Sequence, residues 1–256
     1  SVRKSMKGTT ILGPLEYILE ANGENWKQGD KITGSLRIKN HSKATVTQAS
    51  LSIALVEGQY KGIKNKGKSA WKNIEKIKLE ENFSLNAHEE KSYLYNFALL
   101  QDSQFTDKSG SLYLAFFKEN EAWPIGHVEL VVGPKLVITQ ILEIFENFLR
   151  FKVAQIKFSK GSVEVKLTPP SSREFSSIDS LILGLKEVDK NLTLNYLFNV
   201  RVLDMSSGAM QTQKKTKAFE QIFNSKQYLM YGEALNQDFI LGSLNAVVNE
   251  VKPKFL

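Results

Sequence analysis

Apolar and polar residues alternate with a period of two in one short run after another through residues 15–132, and this repeat restricts the fold more than any other feature of the chain. In residues 31–38, Ile32, Gly34, Leu36 and Ile38 alternate with Lys31, Thr33, Ser35 and Arg37. Side chains on a strand point to opposite faces in turn, so such a run has one apolar and one wet face, as in a half-buried antiparallel strand. The same pattern recurs at 46–57, 77–85, 91–100, 111–117 and 127–132, and the apolar run Leu15 to Ala21 precedes it. Asn22-Gly23 and Gln28-Gly29-Asp30 supply turn chemistry between the first runs. Short strands separated by polar turns predict a sandwich and argue against a parallel α/β sheet.

The period then changes. In residues 135–150, Ile138, Ile141, Leu142, Phe145, Phe148 and Leu149 recur at helical spacing with Gln140, Glu143, Glu146 and Asn147 between them, which predicts an amphipathic helix. Strand-like runs resume at residue 151, meet Pro169-Pro170 and continue into a hairpin about Asp189-Lys190-Asn191. A loop at Ser206-Ser207-Gly208 and a polar strand over 211–223 follow. The end reads as helical: a short piece over 225–231 closed by Gly232, then a longer helix with Asn236 as its cap and Ile240, Leu244, Val247, Val248 and Val251 on one face. The expected division is a flexible tail over 1–14, a β-sandwich domain over 15–134, a linker helix over 135–150 and a second β-rich (α+β) domain with C-terminal helices over 151–256.

A chain of 256 residues with 42% apolar content can bury a core without covalent staples. It has no cysteine, which removes disulfides, thiolate chemistry and cysteine-based zinc sites and agrees with a reducing compartment. His41, His88 and His127 are its only imidazoles, none at the i, i+4 spacing of a helical metal site, and all three are expected in exposed loops. No run approaches the roughly 18 apolar residues needed to cross a bilayer, so no integral membrane segment is expected. Three glycosylation patterns, beginning at Asn40, Asn82 and Asn191, are too short to carry weight.

The net charge of +7 is concentrated: Lys61, Lys64, Lys66, Lys68, Lys72, Lys76 and Lys78 accompany one carboxylate, Glu75. Gly62-Ile63-Lys64-Asn65-Lys66-Gly67-Lys68-Ser69 satisfies the phosphate-loop pattern G-x-x-x-x-G-K-[ST], in which backbone amides cradle phosphates. That chemistry needs a parallel strand entering the loop and a helix leaving it. Here Val56 to Lys61 intervenes before the first glycine, and period two returns at Ile77, Leu79, Phe83 and Leu85. Val202-Leu203-Asp204 offers only a weak partner for a magnesium ion. A solvated hairpin loop is the plainer reading. The same lysines, with Tyr60 and Trp71 for stacking, suit an acidic protein, an anionic lipid surface or a nucleic acid. No nucleophile elbow or triad appears, and Glu80, Glu81, Glu89 and Glu90 fit a solvated strand edge better than an acid and base pair. No catalytic residue, cofactor or metal ligand is assigned.

Residues Trp26-Lys27-Gln28-Gly29-Asp30-Lys31-Ile32-Thr33-Gly34-Ser35-Leu36-Arg37-Ile38 resemble the opening of arrestin-like proteins: an aromatic, then Pro-Gly-Asp/Glu, then an apolar-x-Gly-x-apolar strand. Gln28 stands where that pattern has proline. Residues 83–97 are similar to the strand, turn and strand before the family's Leu-Pro, where this chain has Leu99-Leu100. The helix and the runs over 174–188 and 192–200 resemble the bacterial sporulation-control branch of that family. The resemblance implies an arrestin-like antiparallel β-sandwich as the first domain and a non-enzymatic, cytoplasmic adaptor or regulatory scaffold without a cofactor. Its protein partner would bind through sandwich edges and loops, and the tentative contact residues are Lys61, Lys64, Lys66, Lys68, Trp71 and Lys72. A nucleotide-binding enzyme using residues 62–69, or a polyanion or anionic-lipid binding module, is the alternative. Neither partner identity nor oligomeric state is set by these residues.

Overall fold

A computed structural model describes residues 4–159, 161–204 and 211–253, and the chain divides into two compact units, Ser1–Lys135 and Leu136–Leu256. The expected loop Ser206-Ser207-Gly208 lies outside the described residues.

The first unit is a sandwich of two antiparallel four-stranded sheets. One sheet has the order β1 (Met6–Leu12), β2 (Leu15–Ala21), β4 (Lys31–Asn40), β7 (Glu90–Ala98). The other has the order β6 (Trp71–Leu85), β5 (Val46–Gln59), β8 (Gly110–Lys118), β9 (Gly126–Leu130). The alternation explains which residues face inward. Leu15, Tyr17, Leu19 and Ala21 of β2 are buried, as are Ile32, Leu36 and Ile38 of β4, and across the core Tyr17 stacks on Phe116 of β8 with ring centroids 5.0 Å apart. β3 (Trp26–Lys27) and β10 (Val132–Gly133) make a short parallel ladder.

The expected tail is corrected at its inner end. Met6–Leu12 pairs with β2 along its whole length, from Met6 opposite Ala21 to Leu12 opposite Leu15. This strand has no buried residue of its own, so its sequence carries little apolar signal and its order comes from the neighbour's hydrogen bonds.

Both lateral edges of the sandwich are closed. Beside β9, Gly8 and Gly126 allow close approach: a β-carbon at Gly8 would lie 2.4 Å from Val128 Cγ2, and one at Gly126 would lie 2.3 Å from Thr10 Oγ1. At the opposite side the Tyr93 hydroxyl of β7 donates to Glu80 of β6, and Lys91 Nζ lies 3.1 Å from the same carboxylate and 2.8 Å from the Ser84 carbonyl. Glu80 is therefore a clasp between two strand edges, and the Tyr93 hydroxyl, then Lys91, hold its carboxyl below the usual carboxylate range.

The turn that resembles the arrestin-like opening shows why Gln28 replaces proline. Gly29 has φ +91°, the third position of a type II turn, and Asp30 closes the turn by accepting from Lys27 N–H at 2.7 Å. Gln28 is 6% exposed, and its amide donates to the Ser103 carbonyl at 2.5 Å while accepting from Lys135 N–H at 3.2 Å. Its own N–H donates to the Gly133 carbonyl at 3.1 Å. Proline would keep the turn but lose all three bonds. Gly34, four residues past Asp30, is required because the Tyr95 hydroxyl passes over it to the Glu20 carbonyl at 2.7 Å.

The second unit is built differently. A single antiparallel sheet runs in sequence order: β11 (Lys152–Ser159), β12 (Ser162–Thr168), β13 (Ile178–Val188), β14 (Asn191–Asp204), β15 (Gln211–Asn224). Val163, Val165 and Leu167 align with Leu185, Leu183 and Leu181, and these with Leu194, Tyr196 and Phe198, so one face is apolar across three strands. The helices α2 (Leu136–Asn147) and α4 (Gln237–Val251) bury Ile141, Phe145, Ile240, Leu244 and Val248. The other face carries Lys166, Asn195 and Asn199 and is wet, so this unit is not a second two-sheet sandwich. The Asn236 side chain caps α4 by accepting from Phe239 N–H at 3.2 Å, and the chain leaves the helix before Pro253. The short helix α3 (Ser225–Tyr228) has its own capping box, Asn224 with Gln227.

Candidate functional site

The lysine-rich segment connects β5 to β6, antiparallel neighbours. The helix α1 (Tyr60–Lys64) starts before Gly62, and Trp71 begins the next strand. Neither a parallel strand nor a departing helix is present, and four of the segment's amides are already used. Asn65 N–H donates to Lys61 O, Lys66 N–H to Ile63 O, Gly67 N–H to Gly62 O and Ala70 N–H to Gly67 O, at 2.9–3.2 Å. A phosphate-gripping loop must direct its amides at the ligand. These point into the loop, so the nucleotide-binding alternative on residues 62–69 is corrected on geometry. Asp204, its weak magnesium partner, has a side chain outside the described residues.

What holds the loop is an aromatic shelf on the outer face of the β6-β5-β8-β9 sheet. Small residues lie in the middle of that face: Ala54 pairs with Ala115, and Gly58 pairs with both Ser111 and Trp71. The space above them is filled by the Trp71 indole, whose ring centroid lies 5.1 Å from Tyr113, 4.9 Å from His127 and 5.7 Å from Trp123. Tyr60 and Ile63 pack against the same buried cluster. A β-carbon at Gly58 would lie 2.6 Å from the Tyr113 ring, so glycine is needed for this fit. Each such aromatic pair contributes about 0.5–1.5 kcal/mol beyond area burial, enough to fix both ends of a short loop.

The polar groups of the shelf are arranged around Glu129, which accepts from the Tyr60 hydroxyl at 2.5 Å. Burial, then that hydrogen bond, pushes the Tyr60 phenol upward, and burial with Glu129 raises Tyr113 to about 12. His127 is exposed, as expected, but on a strand and not in a loop. It lies on β9 against Trp71 and Tyr113, and burial holds its pKa below the ordinary imidazole value while Glu129 pulls the other way.

The structure places the six predicted contact residues in two groups. Lys61, Lys64, Lys66 and Lys68 are exposed on the loop, and no carboxylate lies within ion-pair distance of them among the described residues. Lys72 is exposed but 3.4 Å from Glu57, and Trp71 is the packed anchor of the shelf. Lys66 has φ +51°, which turns the chain back toward Gly62. Tyr113 of β8, Trp123 between β8 and β9, and His127 and Glu129 of β9 escape sequence reasoning as a group because they lie far along the chain from Tyr60 and Trp71. The available signal is the pairing of large aromatics with Ala54, Gly58 and Ala115 across one face.

Comparison with protein families finds no match, and no curated protein matches the chain. Among solved structures, Spo0M, the sporulation control protein from Bacillus subtilis, aligns with a TM-score of 0.63 at 13% identity, covering 94% of this chain and 100% of that one. The chain therefore has a mostly β, arrestin-like fold with helices at its C-terminal end, of the kind seen in that sporulation control protein. The C-terminal domain of wzt (TM-score 0.31, 8% identity, 51% of this chain and 80% of that one) and the DNA glycosylase AlkC of Pseudomonas fluorescens bound to DNA (TM-score 0.30, 13% identity, 44% and 28%) align too weakly to carry an argument. Among the described residues no helix is long and apolar enough to cross a membrane, and no group of three or more His, Asp or Glu side chains could hold a metal ion.

Proposed function

We propose that this chain is a non-enzymatic, arrestin-like adaptor or regulatory scaffold of the cytoplasm that engages an acidic surface of a protein partner with the loop bearing Lys61, Lys64, Lys66 and Lys68. The observation that carries this reading is the rigid presentation of four exposed lysines, none ion-paired among the described residues, on a loop fixed by Tyr60, Ile63 and Trp71. Lysines paired with neighbouring carboxylates would gain little from a partner's acidic groups, whereas free ones held on a fixed backbone lose less entropy on binding. Likeness in fold to a sporulation control protein supports a regulatory role.

The test is recovery of partners from the source cell with the native protein and with the quadruple variant Lys61→Ser, Lys64→Ser, Lys66→Ser, Lys68→Ser. We expect a salt-sensitive partner that the variant fails to retain. An unchanged set of partners would sink the loop as the contact, and retention of anionic vesicles or RNA in place of a protein would replace the adaptor reading with a polyanion-binding one.

A further inference from the structure

The first unit closes both sandwich edges, but β15 ends its sheet with one side unpaired among the described residues. It pairs with β14 from Asn224 opposite Asn191 to Gln211 opposite Asp204, and no backbone hydrogen bond reaches its other side among the described residues. Residues 211–218 are all exposed. A strand edge of that length carries a row of unpaired N–H and C=O groups that will accept another extended chain.

Two hollows open beside this segment. On the wet face, Asp179, Ser180, Asn199, Lys214, Lys215 and Thr216 line one of about 750 Å³, with the Asp179 carboxylate paired to Arg201 at 2.8 Å. Toward the helix side, Val200, Val202 and Val251, with Lys217 and Glu250 among the polar groups, line another of about 850 Å³. A strand added to a sheet directs alternate side chains to opposite faces, so those of a strand added beside β15 would reach back over it toward one hollow or the other. Lys214, Lys215 and Lys217 set the charge, with no carboxylate on the strand before Glu220.

We infer that the free side of β15 at residues 211–218 is a docking edge for an extended acidic peptide segment of a partner protein, whose alternate residues are acidic and apolar. Acidic side chains would meet Lys214 beside Thr216 and Asn199, and apolar ones would lie toward Val200, Val202 and Val251. A second copy of this chain is disfavoured by the same charges. Two-fold antiparallel self-pairing of this edge keeps like faces together, so centring it on Lys214 or on Lys215 would put that lysine opposite its own counterpart, a like-charge contact that destabilises a ladder. This edge lies in the unit beginning at Leu136 and is independent of the loop reading above.

The probe is a capped peptide of alternating glutamate and valine as long as residues 211–218, titrated into the full chain by fluorescence anisotropy and followed by amide hydrogen exchange. We expect slowed exchange within residues 211–218 and an affinity that falls about tenfold or more in the variant Lys214→Glu, Lys215→Glu, Lys217→Glu. Two further peptides carry N-methyl groups on alternate amides in opposite phases. One should lose binding about tenfold or more and the other should bind, because only one edge of the peptide forms the ladder. Equal binding by both methylated peptides would overturn the proposal, since charge attraction alone would then explain the affinity. So would affinity lost in the quadruple loop variant and kept in the β15 variant, or a peptide-free dimer that itself protects residues 211–218. Because the wild-type chain is used with the methylated peptides, a variant that fails to fold leaves the decisive arm intact.

Discussion

In the unit ending at Lys135 two sheets cover each other, whereas from Leu136 onward one sheet is covered by helices on one face and open on the other. The difference extends to the edges. β6 and β7 are clasped through Glu80, Tyr93 and Lys91, and Gly8 and Gly126 let β1 and β9 approach closely, while the long edge of β15 has no comparable cover among the described residues. Lysine accordingly has two settings in one chain. On the loop after β5 it is a side-chain cation on a backbone that bonds within itself through the amides of Asn65, Lys66, Gly67 and Ala70. On β15 it borders a backbone whose amides remain available, where it discourages self-pairing and selects for acid.

The largest effects should come from emptying one core at a time. Phe116→Ala removes a ring stacked on Tyr17 between the two sheets, and Leu244→Ala removes a fully buried side chain from α4; we expect losses of about 3–5 and 2–5 kcal/mol. The chain's three tryptophans, Trp26, Trp71 and Trp123, all lie in the first unit, so their fluorescence follows that unit while far-ultraviolet circular dichroism follows both. Phe116→Ala should lower the fluorescence midpoint in urea, and Leu244→Ala should lower a circular dichroism transition without moving it. If both variants shift fluorescence equally, the two cores melt as one.

A smaller effect tests the local chemistry of the first unit's opening turn. Gln28→Ala should cost about 1–3 kcal/mol, because it removes the buried bonds to Ser103 O and Lys135 N but keeps the turn. Gln28→Pro should cost more, since the N–H bonded to Gly133 is lost as well. Denaturant midpoints followed by tryptophan fluorescence check both. A proline variant at least as stable as the native protein would show that the amide clamp contributes nothing.

The sequence and the fold agree where burial is one-sided. Period two locates β2, β4 and β7 because each buries alternate residues, whereas β8 is buried on both faces; the helical spacing of Ile240, Leu244, Val247, Val248 and Val251 locates α4. Elements ordered by neighbours leave less trace. β1 buries nothing, and β6 begins at Trp71, six residues before alternation is evident, because a bulge opposite Leu55 and Val56 breaks its register. The loop lysines are visible in the sequence, but Trp71 as an anchor is not, since its partners Tyr113, Trp123 and His127 are 42, 52 and 56 residues downstream (113 − 71, 123 − 71, 127 − 71). Likewise, Gln28 reads as a departure from a pattern until Ser103 and Lys135 are seen on its amide.

The smallest predicted effect concerns the clasp, and it has a definite sign. Tyr93 and Lys91 lower the Glu80 carboxyl in the folded chain relative to its ordinary value of 4.5. A carboxyl with a depressed folded pKa binds protons more weakly in the native state than in the unfolded one, so it contributes stability above pH 4.5 that is lost as pH falls through the folded value. Glu80→Gln should therefore reduce the urea midpoint at pH 7 and converge on the native protein as the solution is acidified toward and below that value. Because Glu80 is partly solvated, the difference should stay well below that of either core variant. The contrast between closed and open edges adds a second readout: loss of the clasp should speed exchange at the amides of β6 and β7 near neutral pH, with β15 unaffected. A stability difference that is constant from neutral to acid pH would mean that Glu80 closes this edge by shape and neutral hydrogen bonding, with no contribution from its charge.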